Sequence, residues 1–144
     1  MDQKDMEILG ELITDGKAKI KKIAKKLGLP MSTVHHRILR MEKEGLIKKY
    51  TAIPNYKKIG LPILAYVFAN VDYSKATSQE EVACEIKKLP NIMEVNIVAG
   101  EIDIVAKIRV KDIDELSDVV IKKMRNIKGM AKTVTAVVMK EIEA

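Results

Sequence analysis

The chain has 144 residues, 47% hydrophobic and 32% charged, enough to bury one medium core or two small ones. It has no run near the ~20 consecutive apolar residues of a spanning helix, and Met1-Asp2-Gln3-Lys4-Asp5 lacks a signal peptide's apolar stretch, so a cytoplasmic protein with no membrane partner is expected. One cysteine, Cys84, and two adjacent histidines exclude an internal disulfide and offer no spaced metal-ligand set, so neither a metal nor a cofactor is expected.

The net charge of +6 is unevenly placed. Residues 1–60 carry 14 Lys/Arg against 7 Asp/Glu, a balance of +7, whereas residues 61–144 carry 12 against 13, a balance of −1. A basic unit joined to a near-neutral one points to a polyanion-binding module attached to a part with another task.

From Asp2 to Thr14 the apolar residues Met6, Ile8, Leu9, Leu12 and Ile13 follow helical spacing, with acidic Asp2, Asp5 and Glu7 in the first turns where the helix dipole favours them. Asp15-Gly16 ends this helix. A shorter one, with Ile20, Ile23, Ala24 and Leu27 inward, stops at Gly28. Leu29-Pro30 makes a tight connection to a third helix from about Met31 to Glu44, with Gly45 as its cap. Two short helices separated by such a turn, within a three-helix unit, form the helix-turn-helix pattern.

At 100° per residue, Val34, Ile38 and Met41 share the buried side of the third helix. Ser32, Thr33, His36, Leu39, Arg40 and Lys43 occupy the opposite arc, and His35 and Arg37 fall on its flanks. The arc is cationic and free of carboxylates until Glu42 and Glu44, which suits phosphates and base edges; Arg40 matches guanine and Thr33 a thymine methyl. Taken by itself the arc reads as an ordinary solvated face; the turn geometry and the localised charge of +7 favour DNA contact. Leu46 to Ile53 has strand-like composition and is expected to form a short wing, with Lys48 and Lys49 placed to neutralise phosphate.

Residues 61–144 alternate element types as an α+β domain. A buried strand is expected over Ile63–Val71, and a helix over Ser78–Leu89 opened by Ser78-Gln79-Glu80-Glu81. Strands over Met93–Ala99 and Ile102–Val110 join at a Gly100-Glu101 hairpin turn. A helix over Ile113–Arg125, capped by Asp112, and a strand over Met130–Met139 complete the order βαββαβ, the ferredoxin-like arrangement. Helices on one face leave the other face of the sheet open. Met130, Val134, Ala136 and Val138 are expected on one side of the last strand and Ala131, Val137 and Met139 on the other, so the sheet is expected to pack on a second copy as a homodimer. Gly100, Glu101, Ile102 and Asp103 offer a glycine and two carboxylates for an amino-acid effector, or simply a solvated turn. Cys84 is expected to pack rather than react, and no nucleophile–base pair supports an enzyme or assigns catalytic residues.

Together, Asp2 with Lys4-Asp5 and Ile8-Leu9, Ile23 through Leu29, Ser32 through Ile38, Met41 through Ile47, and Gly100 through Asp103 carry a likeness over the full length. The chain resembles the Lrp/AsnC, or feast/famine, family of transcription regulators, archaeal in type. The resemblance implies a winged helix-turn-helix domain over 1–45, a strand-containing linker or wing over 46–60, and a ferredoxin-like response and oligomerisation domain over 61–144. It also implies homodimers, commonly built into octamers, with an amino acid bound near Gly100–Asp103. The sequence departs from the family at Pro30, where a capping serine is frequent, at Lys17, and at Ala99 and Ile102 in the effector loop. The expected function is sequence-specific regulation on double-stranded DNA; an architectural DNA-compacting protein and a metabolite sensor that binds no DNA are the alternatives.

Overall fold

Asp2 opens α1 (Gln3–Thr14) by accepting the Asp5 N–H at 2.9 Å, while the Asp5 carboxylate accepts the Asp2 N–H at 3.0 Å, a reciprocal cap. The computed structural model describes residues 1–76 and 78–143. α2 (Ile20–Leu27) ends at Gly28, whose φ of 65° is left-handed. The turn Gly28-Leu29-Pro30 leads into α3 (Met31–Lys43). Ile8, Ile23, Ala24, Val34, Ile38 and Met41 form the core of this unit. Met6 and Ile13 do not join it, being 52% and 77% exposed. The inward row of α1 runs Asp5, Ile8, Leu9, Leu12, with a fully buried carboxylate at its first position.

The strand expected over Leu46–Ile53 is absent: no strand occurs between Lys43 and Ile63 among the described residues. The Leu46 and Ile47 N–H groups both donate to the Met41 carbonyl, at 2.8 and 3.1 Å, which folds Ile47 back onto the three-helix core. Beyond it residues 48–53 run exposed, with no strand in the unit to complete a ladder. The chain divides into two units here, Met1–Ile53 and Pro54–Ala144, so the segment 46–60 is shared between them.

The second unit contains β1 (Ile63–Val71), α4 (Gln79–Lys87), β2 (Ile92–Ile97), β3 (Ile104–Val110), α5 (Ile113–Ser117) and β4 (Met130–Val137). The sheet is antiparallel in the order β2-β3-β1-β4, as the βαββαβ reading requires. Ser78 caps α4 by accepting the Glu81 N–H, and Asp112 caps α5 by accepting the Glu115 N–H. Val82, Ile86, Leu116, Val119, Val120 and Met124 cover the sheet face made by Ala65, Val67, Ala69, Ile104, Ala106 and Ile108.

Three local expectations change. The helix expected over Ile113–Arg125 is α-helical only to Ser117; Asp118–Met124 winds more widely, with Arg125 N–H donating to the Val120 carbonyl five residues back. This wider turn keeps Val119, Val120 and Met124 buried while Lys123 stays in solvent. The turn between β2 and β3 spans four residues, Ala99–Ile102, closed by Val98 N–H to the Asp103 carbonyl, and Asp103 also donates its N–H to the Ala69 carbonyl of β1. In β4 a bulge sets Ala69 opposite Thr133 but Val71 opposite Met130. Met130 therefore joins the covered core, away from Val134, Ala136 and Val138.

Arg109 is buried beside Leu64 on the open face of the sheet. Its guanidinium lies 4.3 Å from the centroid of the Tyr56 ring and pairs with Glu141 at 2.5 and 3.2 Å, which holds the Glu141 carboxyl below its usual range. Gly129 is a tight point elsewhere in this unit. Its φ is 91° and a Cβ there collides with Ala76 and presses on Val82 at 3.1 Å. Gly129→Ala is expected to destabilise this unit by about 1–3 kcal/mol, read as a lower denaturation midpoint of the full chain; an unchanged midpoint refutes the contact.

Candidate nucleic-acid interface

α3 supplies the polar arc. Val34, Ile38 and Met41 are buried, so the helix turns Ser32, His35, His36, Arg40 and Lys43 outward, with Thr33 half-buried and Leu39 46% exposed. Pro30 provides no side-chain cap, and no carboxylate lies in the first turn. The first N–H groups and the positive end of the helix dipole are thus uncompensated on the side where Ser32 is exposed. The His35 and His36 rings stand 6.0 Å apart, both exposed.

Two of the basic residues are less free than the helical wheel suggests. Arg37 has a side chain only 21% exposed, and its Nη1 donates to Asp2 at 2.7 and 2.8 Å and to Asp5 at 2.9 Å. Arg40, at 45% exposed, donates from Nη2 to Asp5 Oδ2 at 2.5 Å. Arg37 above all holds the Asp2 carboxyl down at about 2, and the reciprocal backbone bond with Asp2 followed by Arg37 lowers that of Asp5. Asp2 and Asp5, read from sequence only as dipole partners, are the residues sequence reasoning missed. The available signal was Asp5 at the head of the row Ile8, Leu9, Leu12, since a carboxylate facing a core needs cations opposite it.

Lys48 and Lys49 are exposed on the segment after α3, and Tyr50 donates to Glu42 at 2.7 Å, tying that segment to the end of the helix. Burial first and then Glu42 raise the Tyr50 hydroxyl to about 12.

At the effector loop, Gly100 has a φ of 130° and Glu101 is exposed, while Ile102 and Asp103 are half-buried. The Asp103 carboxylate accepts from Val71 N–H at 2.8 Å, Gln79 Nε2 at 3.1 Å and Tyr73 hydroxyl at 3.3 Å, and Asn70 Nδ2 donates to the Glu101 carbonyl at 2.6 Å. Asn70, Tyr73 and Gln79 are brought to this loop by the fold; their distance in sequence hid them.

Two family models cover this architecture. "Winged helix-turn-helix DNA-binding" matches residues 1–48 and "Lrp/AsnC ligand binding domain" matches residues 64–144. The chain belongs to the Lrp/AsnC family. It is a transcriptional regulator with a DNA-binding helix-turn-helix and a ligand-binding domain. An uncharacterized HTH-type transcriptional regulator of Pyrococcus furiosus is 44% identical over 137 residues, covering 95% of this chain and 91% of that protein. The HTH-type transcriptional regulator FL11 of the same organism is 39% identical over 140 residues, covering 97% and 90%. The structure of LrpC from B. subtilis matches with a TM-score of 0.84 at 30% identity, over 99% of this chain and 97% of that one. A Neisseria meningitidis transcriptional regulator, solved as a complex with L-Met, shares the fold with a TM-score of 0.92 at 21% identity, over 100% and 93%. No helix among the described residues of this family member is long and apolar enough to cross a membrane.

The Asp2 carboxyl titrates lower folded than free, so its contribution is complete above the ordinary value of 3.8 and vanishes as pH falls through about 2. Thermal melts of the full chain from pH 6 to pH 2 are expected to show a stability loss in that acid window. In Asp2→Asn the loss is expected to be smaller, from a lower starting stability; identical profiles for the two proteins refute the linkage.

Proposed function

We propose that this regulator binds double-stranded DNA sequence-specifically as a homodimer, with α3 in the major groove. The observation that carries the reading is the exposed, carboxylate-free arc of α3 beginning at an uncapped helix N-terminus. Ser32 and the first N–H groups meet phosphate; Thr33, His35, His36, Leu39 and Arg40 face base edges; and Lys43, Lys48 and Lys49 neutralise the flanking backbone. Arg37 supports this surface from within, its Nη1 turned to Asp2 and Asp5. The open face of the sheet supports dimer formation: Tyr66 and Phe68 lie there incompletely buried, in register with Ala136 and Val134. A two-fold dimer presents two copies of α3 to half-sites about 34 Å apart, and octamers are dimers closed into larger assemblies.

Selection of bound fragments from random DNA tests this directly. Enrichment of a two-half-site motif supports the reading, whereas equal retention of all fragments favours an architectural DNA-compacting protein. Lys48→Ala is expected to weaken binding to all sequences alike and to reduce the salt slope by about 1, measured by titration across salt concentrations; a changed base preference argues against a phosphate contact.

The effector class we propose is an amino acid, bound near Gly100, Glu101, Ile102 and Asp103. Support comes from the ligand-binding domain and from the L-Met complex of the Neisseria meningitidis regulator. Two carboxylates suit an ammonium group, while Ala99 and Ile102 make the wall small and apolar. Asp103→Asn retains the side chain's shape and removes its charge. DNA binding in the presence and absence of each amino acid, L-methionine included, is expected to lose its ligand dependence in this variant while ligand-free binding persists; an intact response places the pocket elsewhere.

A further inference from the structure

Asp5 has no exposed surface, yet three donors converge on it: Arg40 Nη2 at 2.5 Å and Asp2 N–H at 3.0 Å on Oδ2, and Arg37 Nη1 at 2.9 Å on Oδ1. An apolar side chain at this inward position avoids the desolvation of a carboxylate, and apolar replacement of a whole buried ionic cluster is often neutral or stabilising. Stability alone therefore does not account for it. Each arginine donates through one terminal nitrogen, Nη1 of Arg37 and Nη2 of Arg40, and the two differ in exposure. Arg37 is mostly enclosed, with Nη1 shared between both aspartates. Arg40 commits only Nη2, and its Nε and Nη1 have no protein partner among the described residues. Its side chain is 45% exposed, on the arc that carries His36 and Lys43.

We propose that Asp5 is a positioning residue for DNA recognition: from beneath α3 it holds the Arg40 guanidinium by one Nη2 proton, so that the remaining N–H donors meet the acceptor edge of a guanine in one orientation. The guanidinium is a planar fork, and restraining one arm leaves the direction of the others nearly determined. An unrestrained arginine contacts neighbouring phosphates as readily as a base, which adds affinity without preference. The first turn of α1 thus sets sequence preference without touching DNA. This inference rests on α3 as the DNA-reading helix.

The test uses the full-length chain, its selected DNA site and every single-base-pair variant of that site. Wild type, Asp5→Asn, Arg40→Ala and the double variant are compared, with folding followed by circular dichroism. Arg40→Ala is expected to lose discrimination at one base pair of each half-site, and Asp5→Asn to lose about tenfold at the same base pair. Affinity of Asp5→Asn for unrelated DNA is expected to hold or rise, since a negative charge has gone, and the double variant to match Arg40→Ala. If Asp5→Asn fails to fold, Arg40→Lys replaces it: the ammonium retains the charge without the fork and is expected to lose discrimination at that same base pair. A common change in affinity for all sequences, with base preference intact, overturns the proposal, as does intact preference in Arg40→Ala or Arg40→Lys. A wild-type chain without any sequence preference removes both this proposal and the recognition role of α3, whereas preference surviving in the variants removes only this one.

Discussion

Asp5 joins the start of α1 to the middle of α3 across more than thirty residues of sequence, and the orientation of the exposed arc of α3 depends on that junction. The buried core beneath it is small: six side chains, only three of them from α3. A stripe of Val34, Ile38 and Met41 settles which side of α3 is buried but leaves some freedom of rotation about the helix axis, because apolar contact is non-directional. Hydrogen bonds from Arg37 and Arg40 to fixed carboxylate oxygens are directional and remove that freedom. The arc of Ser32, His36 and Lys43 is thereby presented at a defined angle. Two of the three donors to this carboxylate come from α3 and the third from the cap of α1, so it bonds both helices at once.

In the second unit hydrophobic burial sets the architecture and polar groups adjust its margins. Small residues, Ala65, Ala69 and Ala106, alternate with Val67, Ile104 and Ile108 on the covered face, which lets helices approach the sheet closely. The open face is mixed. Aromatic Tyr66 and Phe68 lie there beside Val105 and Val134, while Arg109 is enclosed by Tyr56 before β1 and Glu141 after β4. Both ends of this unit's chain are drawn to one strand, β3, by one guanidinium. Arg suits this task where Lys does not, since it stacks on an aromatic ring and bonds a carboxylate through separate atoms.

Element order and type were legible in sequence because local rules agree with the tertiary result along most of the chain. Gly28 ends α2 and Pro30 precedes α3, Ser78 and Asp112 cap their helices, and period-two burial runs through β1. The departures fall where a distant group intervenes. Asp103 bonds to β1 beside the lengthened β2–β3 turn; the bulge opposite Ala69 and Val71 moves Met130 to the other face; and Leu46–Ile53 has strand composition without a partner strand. At the candidate DNA site Ser32, His36, Leu39, Arg40 and Lys43 are outward as periodicity required, whereas Thr33 is half-buried. The tethering of Arg37 and Arg40 did not follow from periodicity, because the spacing of one helix cannot show which carboxylates of another lie opposite.

The same principle governs what a ligand can do at the Gly100–Asp103 loop. Asp103 is bonded to Val71 at the end of β1 and to Gln79 in the first turn of α4, and Tyr73 between them bonds both Asp103 and Gln79. A ligand ammonium at this carboxylate meets oxygens that already have protein donors, so it either shares them or displaces one. Sharing leaves the strand end and helix start where they are, and then binding carries no signal. Displacement of Gln79 removes the bond between the first turn of α4 and Asp103, and only such a difference in contacts between two arrangements shifts an equilibrium. Any response is therefore limited by the strength of these side-chain bonds. The Val71 N–H bond is different in kind: it comes from the main chain of β1, at the edge of the core, to the second Asp103 oxygen, which neither Gln79 nor Tyr73 uses.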